Sequence, residues 1–150
     1  MSASKALVVG VGNEFAGDDA AGLLIARMVR ERVPAGVEVV EHEGEPTALL
    51  DRWDGARLAI VVDATSGGGE QGSVRVMDAT DAPLPAQLTG TSTHAFGLAE
   101  AIELGRALGR LPERLLVVGV EGARFEAGAG PSAEVRAALD PAVDQVLALL

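Results

Sequence analysis

Four short, β-branched apolar runs recur along the chain: ALVVGV (6–11), VEVVE (37–41), LAIVVDA (58–64) and RLLVVGV (114–120). Most show no polar alternation, so they read as strands covered on both faces, as in a mainly parallel sheet with helices on either side. Helical patterns separate them. Ala21, Leu24, Ile25 and Met28 mark the core face of a first helix, with Arg27, Arg30 and Glu31 outside it. Leu98, Ala101, Ile102, Gly105 and Leu108 mark another, for which Ser92 or Thr93 offers an N-terminal cap. The closing stretch PSAEVRAALDPAVDQVLALL has helical period, with a kink or break expected at Asp140-Pro141. SVRVMDA (73–79) alternates more and follows the glycine-rich SGGGEQG, which predicts an antiparallel edge strand. The expected architecture is an α/β fold: a three-layer α/β/α sandwich around a twisted, mostly parallel sheet of about five strands with one antiparallel edge.

With 150 residues, 48% of them hydrophobic, the chain can bury one core, so residues 1–150 are expected to form one domain. A net charge of −10, from 12 basic residues against 22 acidic ones, argues against a phosphate backbone as partner. The absence of cysteine excludes a disulfide framework, a thiolate metal site and a cysteine nucleophile. MSASKALVVGVG has neither a signal peptide's plan nor a membrane span's length, which gives the expectation of a cytoplasmic chain with no membrane partner. With few aromatics and a single tryptophan, Trp53, no interface stands out, and a monomer is expected.

In open α/β sheets ligands bind beyond the carboxyl ends of the strands. The residues at those ends are Asn13, Asp18 and Asp19 after the first strand and Asp63 at the end of the third, while His94 opens the helix after the edge strand. GVGNEF begins like a dinucleotide fingerprint, but Phe15 stands where the third glycine is needed, and Asp18 and Asp19 would repel a pyrophosphate at the helix N-terminus. Helix capping accounts for one aspartate and leaves Asp19 over. Asp63 fits either an Asx-type turn before Thr65 and Ser66 or an α/β active site. His94 fits either a satisfied first-turn histidine or, kept neutral by the helix N-terminus, a metal ligand. Asp19, Asp63 and His94 together would suit an open divalent-metal site. Two carboxylates could instead share the activation of a water without metal. A nucleophilic serine is disfavoured, since no G-x-S-x-G elbow is present.

GVGNEFAGDDAAG (10–22), VVDA (61–64) and THAFGL (93–98), in this order and with LLVVGVE and the closing helix behind them, resemble the nickel-iron hydrogenase maturation proteases over nearly the whole chain. The resemblance implies an endopeptidase that removes a C-terminal extension from a hydrogenase large-subunit precursor after nickel insertion. It carries the family's metal-binding positions onto Asp19, Asp63 and His94 as catalytic and metal residues. The metal implied is nickel presented by the substrate, or another divalent ion such as zinc or cadmium in the isolated protein. One departure is EHEGEPTALL (41–50), where many members have an Asp-Gly-rich stretch; it implies a different client, with Glu43 and His42 as extra ligands or solvated loop residues. The segment from Gly67 to Gly72 reads as a flap over the site or as a loose hairpin connection. The alternatives are a non-catalytic metal-dependent binder of the same fold and a nucleotide-binding module.

Overall fold

The computed structural model describes residues 5–13, 15–67, 69–85 and 93–150, with backbone only for 93–96. Its five strands are β1 (Ala6–Val11), β2 (Val37–His42), β3 (Leu58–Thr65), β4 (Val74–Asp78) and β5 (Arg114–Glu121). They form one sheet in the order β2-β1-β3-β5-β4, with every pairing parallel except β4 against β5. The antiparallel edge strand expected from its alternation is therefore present. All residues of β1 and β3 are buried, as unbroken apolar runs require. At the other edge, β2 is only half-buried, and it carries two glutamates, Glu38 and Glu41.

Helices α1 (Ala21–Arg30) and α4 (Ala133–Leu149) cover one face, where Ile25, Val29, Val135 and Val146 pack on Val8, Ile60 and Val118. Helices α2 (Pro46–Trp53) and α3 (Thr93–Leu108) cover the other, where Leu49, Trp53, Leu98 and Ile102 pack on Leu7, Val61 and Leu115. The alternate residues of each strand serve the two cores, giving the expected three-layer α/β/α sandwich. α2 was not anticipated as a helix. Pro46 sits in its first turn, and the Glu45 carboxylate caps it by accepting from the Thr47 and Ala48 amides, at 3.0 Å each.

Three helix details correct the sequence reading. In α1, Ala21 and Ile25 are buried as expected, together with Gly22, Leu23, Ala26 and Val29, while Leu24 and Met28 are only half-buried. Glycine makes the difference, because Gly22 lies against the carbonyl oxygens of Val11 and Val62, leaving no room for a side chain. Leu108 ends α3 at 58% exposure, although Leu98, Ala101, Ile102 and Gly105 are buried as expected. Of the kink or break expected at Asp140-Pro141, the break does not occur. α4 runs through Pro141, whose exposed ring leaves Ala138, Ala142 and Val143 buried against the sheet on both sides of it.

Candidate active site

β1 has β2 as one neighbour and β3 as the other, and the connections that lead to them lie on opposite faces of the sheet. The chain thus reverses its winding between β1 and β3, opening a crevice at their carboxyl ends where α/β folds bind ligands. Asp19 follows β1 and Asp63 lies in β3 next to Val62, so both residues belong to the segments that border this crevice. Asp19 is part of a 3-10 helix, Gly17–Ala20, that leads directly into α1. Since Gly22 rests on the carbonyls of Val11 and Val62, the start of α1 is pressed onto the end of β1 and onto β3 beside it.

Both carboxylates are withdrawn from solvent: Asp19 is 8% exposed and Asp63 1%. Asp63 belongs to the strand ladder, its Cα opposite that of Gly119 in β5, rather than to an Asx turn beyond it. Asp63 makes other contacts, and among the described residues its Oδ1 is buried with no hydrogen bond to it, a property shared with Nε1 of Trp53. His94 falls in the first turn of α3, which reaches the same rim, since Gly97 lies against the carbonyl oxygen of Gly44 just beyond β2. The side chain of His94 lies outside the described residues, as do those of Thr93 and Phe96. Among the described residues, no group of three or more histidines and acids is close enough to hold a metal ion.

Asp18 has a different role from its neighbour. It caps no helix: neither the 3-10 helix nor α1 has a side-chain cap. Completely buried, its Oδ2 accepts from the amides of Ala123 and Arg124 at 2.8 and 2.9 Å and from the Ser132 hydroxyl at 3.1 Å. Its Oδ1 accepts from the Ser132 amide at 2.6 Å. Burial pushes this carboxyl up, but the three amides and the hydroxyl outweigh it and hold the group below the usual carboxylate range. Spacing could not reveal this role, because every partner lies more than a hundred residues away in the chain.

Glu121, at the end of β5, was also missed. It is 5% exposed and accepts from Thr65 Oγ1 at 3.1 Å and the Gly67 amide at 3.2 Å. The signal was a carboxylate ending an apolar strand, as at Asp63. With the Gly72 amide bonded to the Glu121 carbonyl oxygen at 2.8 Å, the glycine-rich connection is tied down at both ends.

The EHEGEP stretch divides in three. Glu41 pairs with Arg27 and Arg30 at 2.8 and 3.4 Å, and Arg27 foremost holds its carboxyl below the usual range. His42 Nδ1 accepts from the Gly44 amide at 2.8 Å, while burial first and Arg52 second lower the imidazole's affinity for a proton, against the pull of Glu45 and Glu43. Glu43 is exposed, and Glu45 caps α2. The glycine turn after β1 makes its close approaches within the chain. Gly12 lies against the carbonyl oxygen of Asp19 and Gly17, at φ 59°, against that of Arg124.

A family model described as hydrogenase maturation protease matches residues 23–149. The hydrogenase 2 maturation protease of Escherichia coli strain K12 is 32% identical over 150 residues, covering 97% of this chain and 90% of that protein. The chain belongs to the hydrogenase maturation proteases. Among its family relatives, the hydrogenase expression/formation protein HupM of Azotobacter chroococcum is 30% identical, over 99% of this chain and 73% of that protein. The solved structure of the E. coli hydrogenase maturating endopeptidase HybD superposes with a TM-score of 0.86 at 31% identity, covering 97% of this chain and 91% of the other. The protease fold extends to more distant sequences: a HycI structure from Thermococcus kodakarensis gives a TM-score of 0.74 at 22% identity.

Proposed function

We propose that this protein is an endopeptidase that removes the C-terminal extension of a nickel-iron hydrogenase large-subunit precursor after nickel insertion. Asp19, Asp63 and His94 face the nickel already seated in that substrate. The observation that supports this reading is that Asp19, just after β1, and Asp63, in β3, are both nearly buried in the segments bordering the point where the winding reverses. Two nearly buried carboxylates there present oxygen ligands in a partly dehydrated setting. An incomplete donor set suits a checkpoint, since the substrate must bring the metal to complete it.

The chain's own contribution is to position and to move protons. Coordination to the substrate's metal would hold the nearby peptide bond over the rim. A carboxylate then takes the proton of a water that attacks the scissile carbonyl carbon, and the leaving amine is protonated as the C–N bond breaks. The client, a hydrogenase large-subunit precursor, is thereby shortened by one C-terminal peptide.

Intact mass spectrometry of nickel-loaded and nickel-free precursor, with and without this protein, tests the reading. Loss of a C-terminal peptide from the loaded form alone is expected. Asp19→Asn, Asp63→Asn and His94→Ala should each abolish that loss while leaving the circular-dichroism spectrum unchanged. Processing retained in all three variants would sink the assignment.

A further inference from the structure

We propose that Asp18 is a positioning residue that sets where Asp19 stands on the rim, by holding the loop after β5 against the 3-10 helix that carries Asp19. The inference rests on the peptidase reading above. Asp18 gathers four hydrogen bonds from the loop that follows β5: three amides, of Ala123, Arg124 and Ser132, and the Ser132 hydroxyl. The backbone repeats the connection. Gly17 donates to the carbonyl of Ala129 at 2.9 Å, Gly128 donates to that of Phe15 at 2.6 Å, and the Asp18 amide donates to Arg124.

Asp19 stands on what this lacing fixes. Its amide donates to the Ala16 carbonyl at 3.1 Å, its own carbonyl accepts from Asn13 at 3.3 Å, and Gly12 lies against that same oxygen. Asn13 and the residues from Phe15 to Asp19 are therefore bonded to one another on one side and held by the β5 loop on the other. Only an acceptor suits the Asp18 position, since all four of its partners donate. A carboxylate presents acceptors alone, whereas an asparagine of the same shape would turn an NH2 group toward N–H or O–H donors. Gly122 completes the fit: a Cβ there would come within 2.7 Å of the Asp18 Cβ.

The test combines amide hydrogen exchange with precursor processing per folded enzyme, in Asp18→Asn and in Gly122→Ala, which crowds Asp18 without changing its chemistry. Expected in either variant are exchange at least about tenfold faster at the Asn13 and Asp19 amides, which do not touch the Asp18 side chain, and a processing rate at least about tenfold lower. Faster exchange confined to Ala123, Arg124 and Ser132 would show that Asp18 anchors only the loop, and would overturn the proposal. So would an unchanged processing rate. Should Asp18→Asn fail to fold, Gly122→Ala supplies both readouts. If the wild type leaves the loaded precursor uncut, the peptidase reading falls, and exchange at Asn13 and Asp19 still decides whether Asp18 places its neighbour.

Discussion

Gly22 determines how closely the first helix approaches the strand ends, because backbone oxygens of two different strands occupy the space where a side chain would go. Neither oxygen belongs to a flexible side chain, so the contact cannot relax cheaply. Gly22→Ala is expected to destabilise the protein by about 1–3 kcal/mol, as overpacking does, and to lower processing because Asp19 precedes it by one turn; urea unfolding and the mass assay measure the two effects. The neighbouring glycines explain why the opening turn mimics a nucleotide fingerprint. Gly12 and Gly17 use their freedom to let the chain approach itself, so NAD at about 1 mM should leave the melting temperature unchanged, where a bound ligand would raise it. His42 gives a pH effect with a definite sign. Burial lowers its proton affinity in the folded state, so the unfolded chain binds the extra proton more readily and stability rises with pH. The contribution is complete above the unfolded value of about 6.5 and is lost as pH falls from there through the lower folded value. Unfolding midpoints of wild type and His42→Asn, compared between about pH 5 and 7.5, should show a steeper rise with pH in the wild type.

Among the elements, α4 carries an avoidable cost. Pro141 removes an amide from the helix interior, where proline is unfavourable by about 3 kcal/mol, and its exposed ring contributes no core packing. After allowing for the stiffness proline lends the unfolded chain, Pro141→Ala should stabilise by about 2 kcal/mol, read as a higher urea midpoint. The helix persists because Val135, Ala138, Ala142, Val143 and Val146 form one buried face spanning the proline. Local pattern foresaw a kink or break there because it weighs the missing amide and not that face. Strands were the most legible elements, since burial on both faces writes itself as an unbroken apolar run, and the edge position of β4 was legible in its alternation. The face of α1 was read correctly at Ala21 and Ile25, while the close contacts of Gly22 and Ala26 were missed. Glycine and alanine carry little hydrophobic weight, yet Gly22 and Ala26 are the residues that meet the sheet most closely. α2 escaped notice because it has only eight residues, although Glu45 followed by Pro46 spelled out its start. In the candidate site, the rim positions of Asp19 and Asp63 followed from strand ends and topology, while the split between Asp18 and Asp19 depended on partners that no local spacing encodes.

Across the whole molecule, acidic groups outnumber basic ones by enough to give a net charge of −10. The ion pairs on the described surface, such as Lys5 with Glu38 and Arg110 with Asp51, are exposed and contribute little each. Net repulsion therefore outweighs them, and raising NaCl from about 10 to 300 mM should increase the melting temperature, as calorimetry can show. No described helix is long and apolar enough to cross a membrane. The strand order has a further consequence, for the time at which the protein becomes itself. β4 pairs only with β5, yet leaves the ribosome before it. At about 5–20 residues per second, several seconds pass before the last residue of β5 is added. Until then β4 has no strand to join and β3 lacks one neighbour. Ser132, the most distant partner of Asp18, is made later still. The rim beside the crevice is thus assembled only after β5 and the loop beyond it are made, and a nascent chain stopped at the end of β5 would have Asp18 and Asp19 but not Ala123, Arg124 and Ser132, which hold Asp18 in place.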